Sequence, residues 1–287
     1  MIARRTLLAS TLAATTARAE PPRRIVCVGG AVTECAFALG AGAQVVAVDS
    51  TSLFPAPVRA LPQIGYLRAL APEGLIALRA DALLLSEEAG PPQAIAVLRA
   101  AGGRLVTIPE QPSGAGVLRK IGAVAAALGV DGAGLAATVG ADWALLDAPV
   151  ASLPPLRAIF VLSAARGAPL VAGENTQAGA MLAACGAPNA IAGFQGYRPL
   201  SAEAAAQIAP DVVVMMDHAL AEAGGIDAVL RIPALAVTPV ARTRRLVAIE
   251  GSYALGFGPR AAHARADLTR LLHPGATLPA LPRRAWT

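Results

Sequence analysis

Residues 62–88, PQIGYLRALAPEGLIALRADALLLSEE, decide the fold. The stretch opens with a Gly-Tyr-x-Arg turn, passes through a short helix beginning at Pro72-Glu73, and ends in an apolar strand after Asp81. It has a partial copy. Residues 196–216, GYRPLSAEAAAQIAPDVVVMM, repeat the pattern with a shift of 130: Leu70 is matched by Leu200, Glu73 by Glu203, Asp81 by Asp211 and Leu83 by Val213. A chain that carries one turn–helix–strand unit twice is expected to fold into two similar lobes.

The sequence before the first copy fits that expectation. RIVCV at 24–28 is a continuous apolar run ending in Gly29-Gly30, a helical pattern follows as far as Gly40, and QVVAV at 44–48 ends at Asp49. Strand, glycine turn, helix, strand is a parallel α/β unit. The G-x-G-x-x-G spacing is absent, so Gly29-Gly30 reads as a tight turn rather than a phosphate cradle. Residues 50–65 form a loop with three prolines, placed where open α/β sheets bind ligands. Further strands are predicted at 82–85 and 105–108, with helices at 72–78, 92–101 and 117–128. Residues 131–149 have helical spacing at Leu135, Val139, Trp143 and Leu146 and read as one long connecting helix. The second lobe follows. It has strands at 157–162, near 171–173, after Asp211 and at 245–249, and helices at 176–185, 222–231 and 259–272. An extended arm is predicted from 274. The resulting division is 1–19 leader, 20–130 first lobe, 131–152 inter-lobe helix and 153–287 second lobe. The fold class is α/β: two Rossmann-like lobes joined by a single long helix, with a ligand cleft between them.

Composition narrows the function. With 55% hydrophobic and 15% charged residues, the 287-residue chain can bury real cores. Arg4-Arg5, the short apolar run 6–16 and Ala17-Arg18-Ala19 form an export signal, and the paired arginines also resemble a twin-arginine signal. Without residues 1–19 the basic residues number 21 against 19 acidic ones, a net charge of +2. The basic balance therefore owes much to the leader, and no basic cluster interleaved with aromatics points to nucleic acid. Cys27, Cys35 and Cys185 are odd in number and sit in strand or small-residue helix patterns, which favours buried hydrophobes over a disulfide framework.

The sequence resembles the periplasmic haem-binding proteins that serve as substrate-binding components of haem ABC importers. The likeness covers most of the chain after the leader. It is carried by IVCVGGAVTECAFALGAG, VAVDSTSLFPA, LPQIGYLRALAPEGLIALRAD, AGENTQAGAMLAACGAPNAIAGFQGYRPLSAE and GFGPR, with GYLRAL as the discriminating segment. The resemblance implies that Tyr66 is an axial ligand to the iron of ferric haem b, the transported ligand, and that Arg68 is its partner. It implies that Glu73 and Glu203, one per lobe, dock onto arginines of a dimeric permease, with an outer-membrane haem receptor as the upstream source. It also implies a periplasmic location.

The chemistry of the residues agrees with these roles. Ferric iron suits a hard phenolate oxygen. A free tyrosine has a pKa of about 10, so the metal and a nearby cation must help it ionise. In an extended or turn backbone, residues i and i+2 share a side, which puts Arg68 beside Tyr66. By residue type alone Tyr66 would read as a wall residue with a hydrogen-bonded hydroxyl. Glu73 and Glu203 are also ordinary helix-start acids favoured by the local dipole. Tyr197 and Arg198 in the second copy, and Tyr253 in the loop ahead of GFGPR, are candidates for the haem propionates. Met215-Met216 read as core. His263 and His273 are expected at the solvent, and His218 toward the cleft side. Some members of the resembled family carry a second-lobe histidine for a second, stacked haem; the matching stretch here, 163–169, has none, so the resemblance implies one haem per chain.

Two alternatives stand beside this reading. A corrinoid or ferric-siderophore binder of the same fold would stack its ligand on tryptophan or use several arginines. The two tryptophans lie in the connecting helix and the tail. An exported enzyme on a doubly wound scaffold would use Asp49 or Glu87-Glu88 as acid and base. No Ser-His-Asp order, metal-ligand cluster or phosphate loop stands out, and no catalysis is expected.

Overall fold

A computed structural model describes residues 21–164 and 167–287. The expected leader, 1–19, lies outside them, as do Ala165 and Arg166. In the first lobe β1 (Ile25–Val28), β2 (Val45–Val48), β3 (Ala82–Ser86) and β4 (Leu105–Ile108) form a parallel sheet in the order β2-β1-β3-β4. Helices α1 (Gly30–Ala38), α2 (Pro72–Ala77), α3 (Pro92–Ala100) and α4 (Gly114–Leu128) supply the crossovers. In the second lobe β5 (Ala158–Ser163), β6 (Leu170–Ala172), β7 (Tyr197–Pro199), β8 (Val212–Met216) and β9 (Leu246–Ile249) order as β7-β6-β5-β8-β9. Here β5, β8 and β9 are parallel, while β6 and β7 run antiparallel on one edge.

Between the lobes run α5 (Ala133–Ala144) and α6 (Asp147–Ala151). Leu145 and Leu146 between them keep right-handed helical dihedrals, so the expected connecting helix is interrupted by a two-residue turn and not by a change of direction of the backbone spiral. The second lobe carries α7 (Gln177–Ala184), α8 (Ala202–Ile208), α9 (Asp217–Glu222), α10 (Ile226–Leu230), α11 (Pro233–Ala236), α12 (Pro239–Thr243), α13 (Gly251–Leu255) and α14 (Ala261–Leu272). The helix predicted over 222–231 is replaced by α9 and α10. Gly224 and Gly225 both have φ near +85°, a conformation no helix continues through.

The strands alternate faces, and the two faces have different partners. Ile25, Cys27, Ala82 and Leu84 of the first sheet share one buried cluster with Ala158, Phe160, Val212 and Val214 of the second. Their alternates, Val26, Val28, Leu83 and Leu85 on one side and Ile159, Val161, Val213 and Met215 on the other, fill separate outer cores. The lobes therefore share a hydrophobic core as well as a connecting helix.

The repeat seen in the sequence is structural. Asp81 Oδ2 accepts the backbone N–H groups of Arg23 and Arg24 at 2.8 Å each, and Asp211 Oδ2 accepts that of Arg157 at 2.9 Å. Arg24 donates to the Leu78 carbonyl, and Arg157 donates to that of Ile208, the residue 130 further on. Arg79 and Ala209, also 130 apart, both adopt left-handed backbone, with φ of 46° and 45°. In each lobe the same device turns the helix into the strand.

The three cysteines are free and buried. Burial, the largest effect on each, pushes all three thiols up, those of Cys27 and Cys185 to about 12. They are inert core residues. Two histidine expectations need correction. His273 is buried, and burial followed by the charge of Arg245 lowers its pKa. The ring of His263 bonds the Pro282 carbonyl at 3.0 Å, because the tail folds back on α14 rather than extending into solvent. Arg284 of that tail grips Asp142 of α5 through two hydrogen bonds of 3.0 and 2.6 Å.

Candidate functional site

The site is built on the turn that follows Gly65. Gly65 has φ of 89°, which a side chain would strain, and it sends the chain into a turn closed by the Ala69 N–H on the Tyr66 carbonyl at 2.8 Å. Leu67 and Leu70 are buried in the outer core of the first lobe. Their backbones pair with Gly90 in the loop after β3: Gly90 N–H donates to Leu67, and Leu70 N–H donates to Gly90, each at 2.9 Å. With the leucines held inward, Tyr66 and Arg68 are left on the open side. Tyr66 is 44% exposed.

Arg68 Nη1 donates to Tyr66 Oη at 2.6 Å. Its Nη2 is on the carboxylate of Glu88. The other oxygen of Glu88 accepts from Gln177 Nε2, at the first residue of α7 in the opposite lobe. Burial works against the charge on Arg68, but Glu88 and then Tyr66 outweigh it and hold the guanidinium above its ordinary pKa. Tyr197 faces the same group: its pKa is raised first by burial and then by Glu88, against a smaller opposing effect of Arg68. The loops after β2 and β3 of the first lobe, the start of α7 and strand β7 of the second thus bring Tyr66, Arg68, Glu88, Gln177 and Tyr197 together between the lobes.

The other predicted residues divide. Arg198 is next to Tyr197 on β7, so it points the other way, and its guanidinium lies 5.1 Å from the Phe194 ring. Tyr253 is on α13 and not in a loop, and its hydroxyl donates to Asp267 at 2.9 Å. Its ring lies 4.8 Å from the guanidinium of Arg260, which is also 3.8 Å from the Phe54 ring and doubly bonded to buried Glu34 at 3.0 and 2.5 Å. That cluster ties the lobes together and leaves Tyr253 no free hydroxyl proton. Glu73 and Glu203 are exposed in the first turns of α2 and α8, which occupy equivalent places in the two lobes. Backbone and Ser201 hydrogen bonds hold the Glu203 carboxyl below its usual pKa. His218 is exposed at the start of α9, Met215 is core, and Met216 is half-buried.

The acid and base proposed for an exported enzyme are already engaged. Asp49 is fully buried, and its carboxylate accepts from Gly29 N–H, Ser52 Oγ, Thr51 N–H and Thr51 Oγ1 at 2.6–3.0 Å. The same bonds occupy the Gly29 amide that a phosphate would need, and Thr51 Oγ1 takes that of Gly30 at 3.0 Å. Glu87 accepts the Glu110 N–H at 3.1 Å and joins the ends of β3 and β4. Among the described residues no group of three His, Cys, Asp or Glu is placed to hold a metal, and no helix is long and apolar enough to cross a membrane. Sequence reasoning missed Gln177 and weighed Glu88 only as half of the Glu87-Glu88 pair of the enzyme alternative. The only available signal was the acidic pair itself, since the partners are brought in by the fold.

Two α/β lobes with a common core and a polar cleft at the strand ends are the build of a solute-binding protein. Residues 25–253 match the periplasmic binding protein family, and the chain belongs to it. Among solved structures it is similar to the periplasmic haem-binding protein BhuT in complex with two haems, at 43% identity and a TM-score of 0.84, covering 88% of this chain and 99% of that one. It is also similar to RhuT from Roseiflexus sp. RS-1 in apo form (40%, TM-score 0.84, 89% and 99% covered). A periplasmic haem-binding protein from Pseudomonas aeruginosa is 33% identical, with a TM-score of 0.78 and 91% and 96% covered. A curated relative, the uncharacterised ABC transporter substrate-binding lipoprotein YvrC of Bacillus subtilis, is 26% identical over 71% of this chain and 67% of its own length.

Proposed function

We propose that the protein captures ferric haem in the periplasm through Tyr66 and passes it to an ABC-type importer. One observation carries the proposal: an exposed phenol at the cleft has a guanidinium fixed 2.6 Å from its oxygen. Arg68 donates to the same oxygen that would ligate ferric iron and so fixes its position. Tyr197 of the second lobe lies within the electrostatic reach of Arg68 and Glu88, which supports a place for it near the ligand. The likeness to several haem-binding proteins supports the same reading. Glu73 and Glu203 are the docking contacts for the permease dimer, and residues 1–19 are the export signal. An outer-membrane haem receptor would be the upstream source. The protein is a carrier, not a catalyst.

The test is spectral. Haemin added to the purified protein gives a high-spin ferric spectrum with a phenolate charge-transfer band, and Tyr66→Phe abolishes that band. An unchanged spectrum in the variant overturns the role of Tyr66. The titration end point also measures stoichiometry: one haem is expected from Tyr66 alone, against the two held by BhuT.

A further inference from the structure

An arginine on a surface turn has many rotamers, and holding it in one costs side-chain entropy. At Arg68 the fork is fixed from its far side. The guanidinium is planar, so a carboxylate on Nη2 sets the direction of Nη1. Glu88 supplies that carboxylate and is itself held in place. It directly follows β3 and Glu87, its backbone N–H donates to Ser86 Oγ at 3.2 Å, and Ser86 donates to Glu110 at 2.9 Å. Its free carboxylate oxygen is taken by Gln177 of the second lobe. A continuous polar chain, Tyr66–Arg68–Glu88–Gln177, therefore crosses the cleft from the proposed ligand to α7. Glu87, one residue earlier, has an unrelated structural partner.

We infer that Glu88 is a positioning residue for haem ligation: it aims Arg68 at the Tyr66 oxygen, and through Gln177 it makes that aim depend on the second lobe. The inference rests on the haem reading above and adds to it a residue that touches neither iron nor phenol. Exposed ion pairs contribute little to folding, so Glu88 can be removed without unfolding the protein.

The experiment compares haemin complexes of the wild type, Glu88→Ala, Arg68→Ala and the double variant, reading the charge-transfer band and the rate of haemin loss to a globin scavenger. Glu88→Ala is expected to move the band to the position seen in Arg68→Ala and to speed haemin loss about tenfold, the worth of one charge-assisted hydrogen bond. The double variant is expected to match Arg68→Ala alone. Glu88→Gln keeps an acceptor for the guanidinium and is expected to restore most of the wild-type band. The unfolding midpoint of the ligand-free Glu88→Ala protein should match the wild type. A Glu88→Ala band and rate equal to wild type would overturn the inference, and so would losses that add in the double variant, since these would mean a role not exerted through Arg68. Failure of the haem reading is distinguishable, because it shows as a wild-type band that survives Tyr66→Phe.

Discussion

Leu67 and Leu70 keep Tyr66 in the open, since burying the two leucines in the outer core of the first lobe leaves the phenol and Arg68 on the cleft side. This pair was legible in the sequence because it depends on an i, i+2 relation within one turn. Glu88 is 20 residues from Arg68, and Gln177 is 89 from Glu88, so only the assembled sheets disclose them. Tyr253 was misplaced for a related reason: its ring and hydroxyl are claimed by Arg260 and Asp267, contacts that no local pattern encodes. A second residue-scale effect concerns Asp81, whose carboxyl is held below its usual pKa first by the Arg23 and Arg24 backbone bonds. A depressed carboxylate adds stability above its unfolded pKa, about 3.9, and loses it as pH falls through the folded value. Asp81→Asn is therefore expected to be less stable than wild type at pH 7, with the gap closing as pH is lowered below about 4. Urea unfolding across that range checks it; a gap that widens toward acid would refute it.

At the level of elements, the helix-to-strand passage is made twice in one way, and this part of the repeat was visible in the matched Asp81 and Asp211. The left-handed residues inside it were not visible, because Arg79 and Ala209 replace the glycine that such a conformation usually signals. Ala209→Gly is expected to stabilise the protein by about 0.5–1 kcal/mol, the steric relief exceeding the added freedom of the unfolded chain. A denaturation midpoint that falls would show instead that the Ala209 methyl packs usefully. The units preceding the two helices differ. Residues 66–69 form a turn, whereas Tyr197–Pro199 form edge strand β7, and the pairing with β6 is what sends Arg198 away from the cleft. Long periodic elements such as α4 could be read from the sequence. Short ones such as β7 and α13 could not, since three to five residues carry too little period to distinguish a strand or helix turn from a loop.

For the whole molecule, the sequence disclosed two lobes and a helical connection but not how firmly they are joined. The shared core runs from Ile25 and Cys27 to Phe160 and Val214. Fully buried Lys120 of α4 adds hydrogen bonds of 2.8 Å to Glu110 and 2.9 Å to the Gly256 carbonyl beside α13. Arg265 of α14 bonds Trp143 and Asp147 in the connecting helices at 3.0 and 2.7 Å. A frame of this kind holds Glu73 and Glu203 at a set separation, which suits the docking role proposed for them on a two-fold permease. Replacing both with arginine is expected to abolish haem-dependent growth through the importer while leaving haemin affinity unchanged. Lost affinity in the purified double variant would place these glutamates at the ligand instead.

The common core also bears on how fast a ligand is taken up. Because the lobes are already fastened to each other through Phe160, Lys120 and Arg260, a large closing motion would have to break these contacts, and little movement is expected on binding. Capture then reduces to a single bimolecular encounter, whose observed rate rises in proportion to ligand concentration and reaches no plateau set by a conformational step. Discrimination among cargoes is then expected to fall to how long each one stays, and so to dissociation from the site proposed around Tyr66.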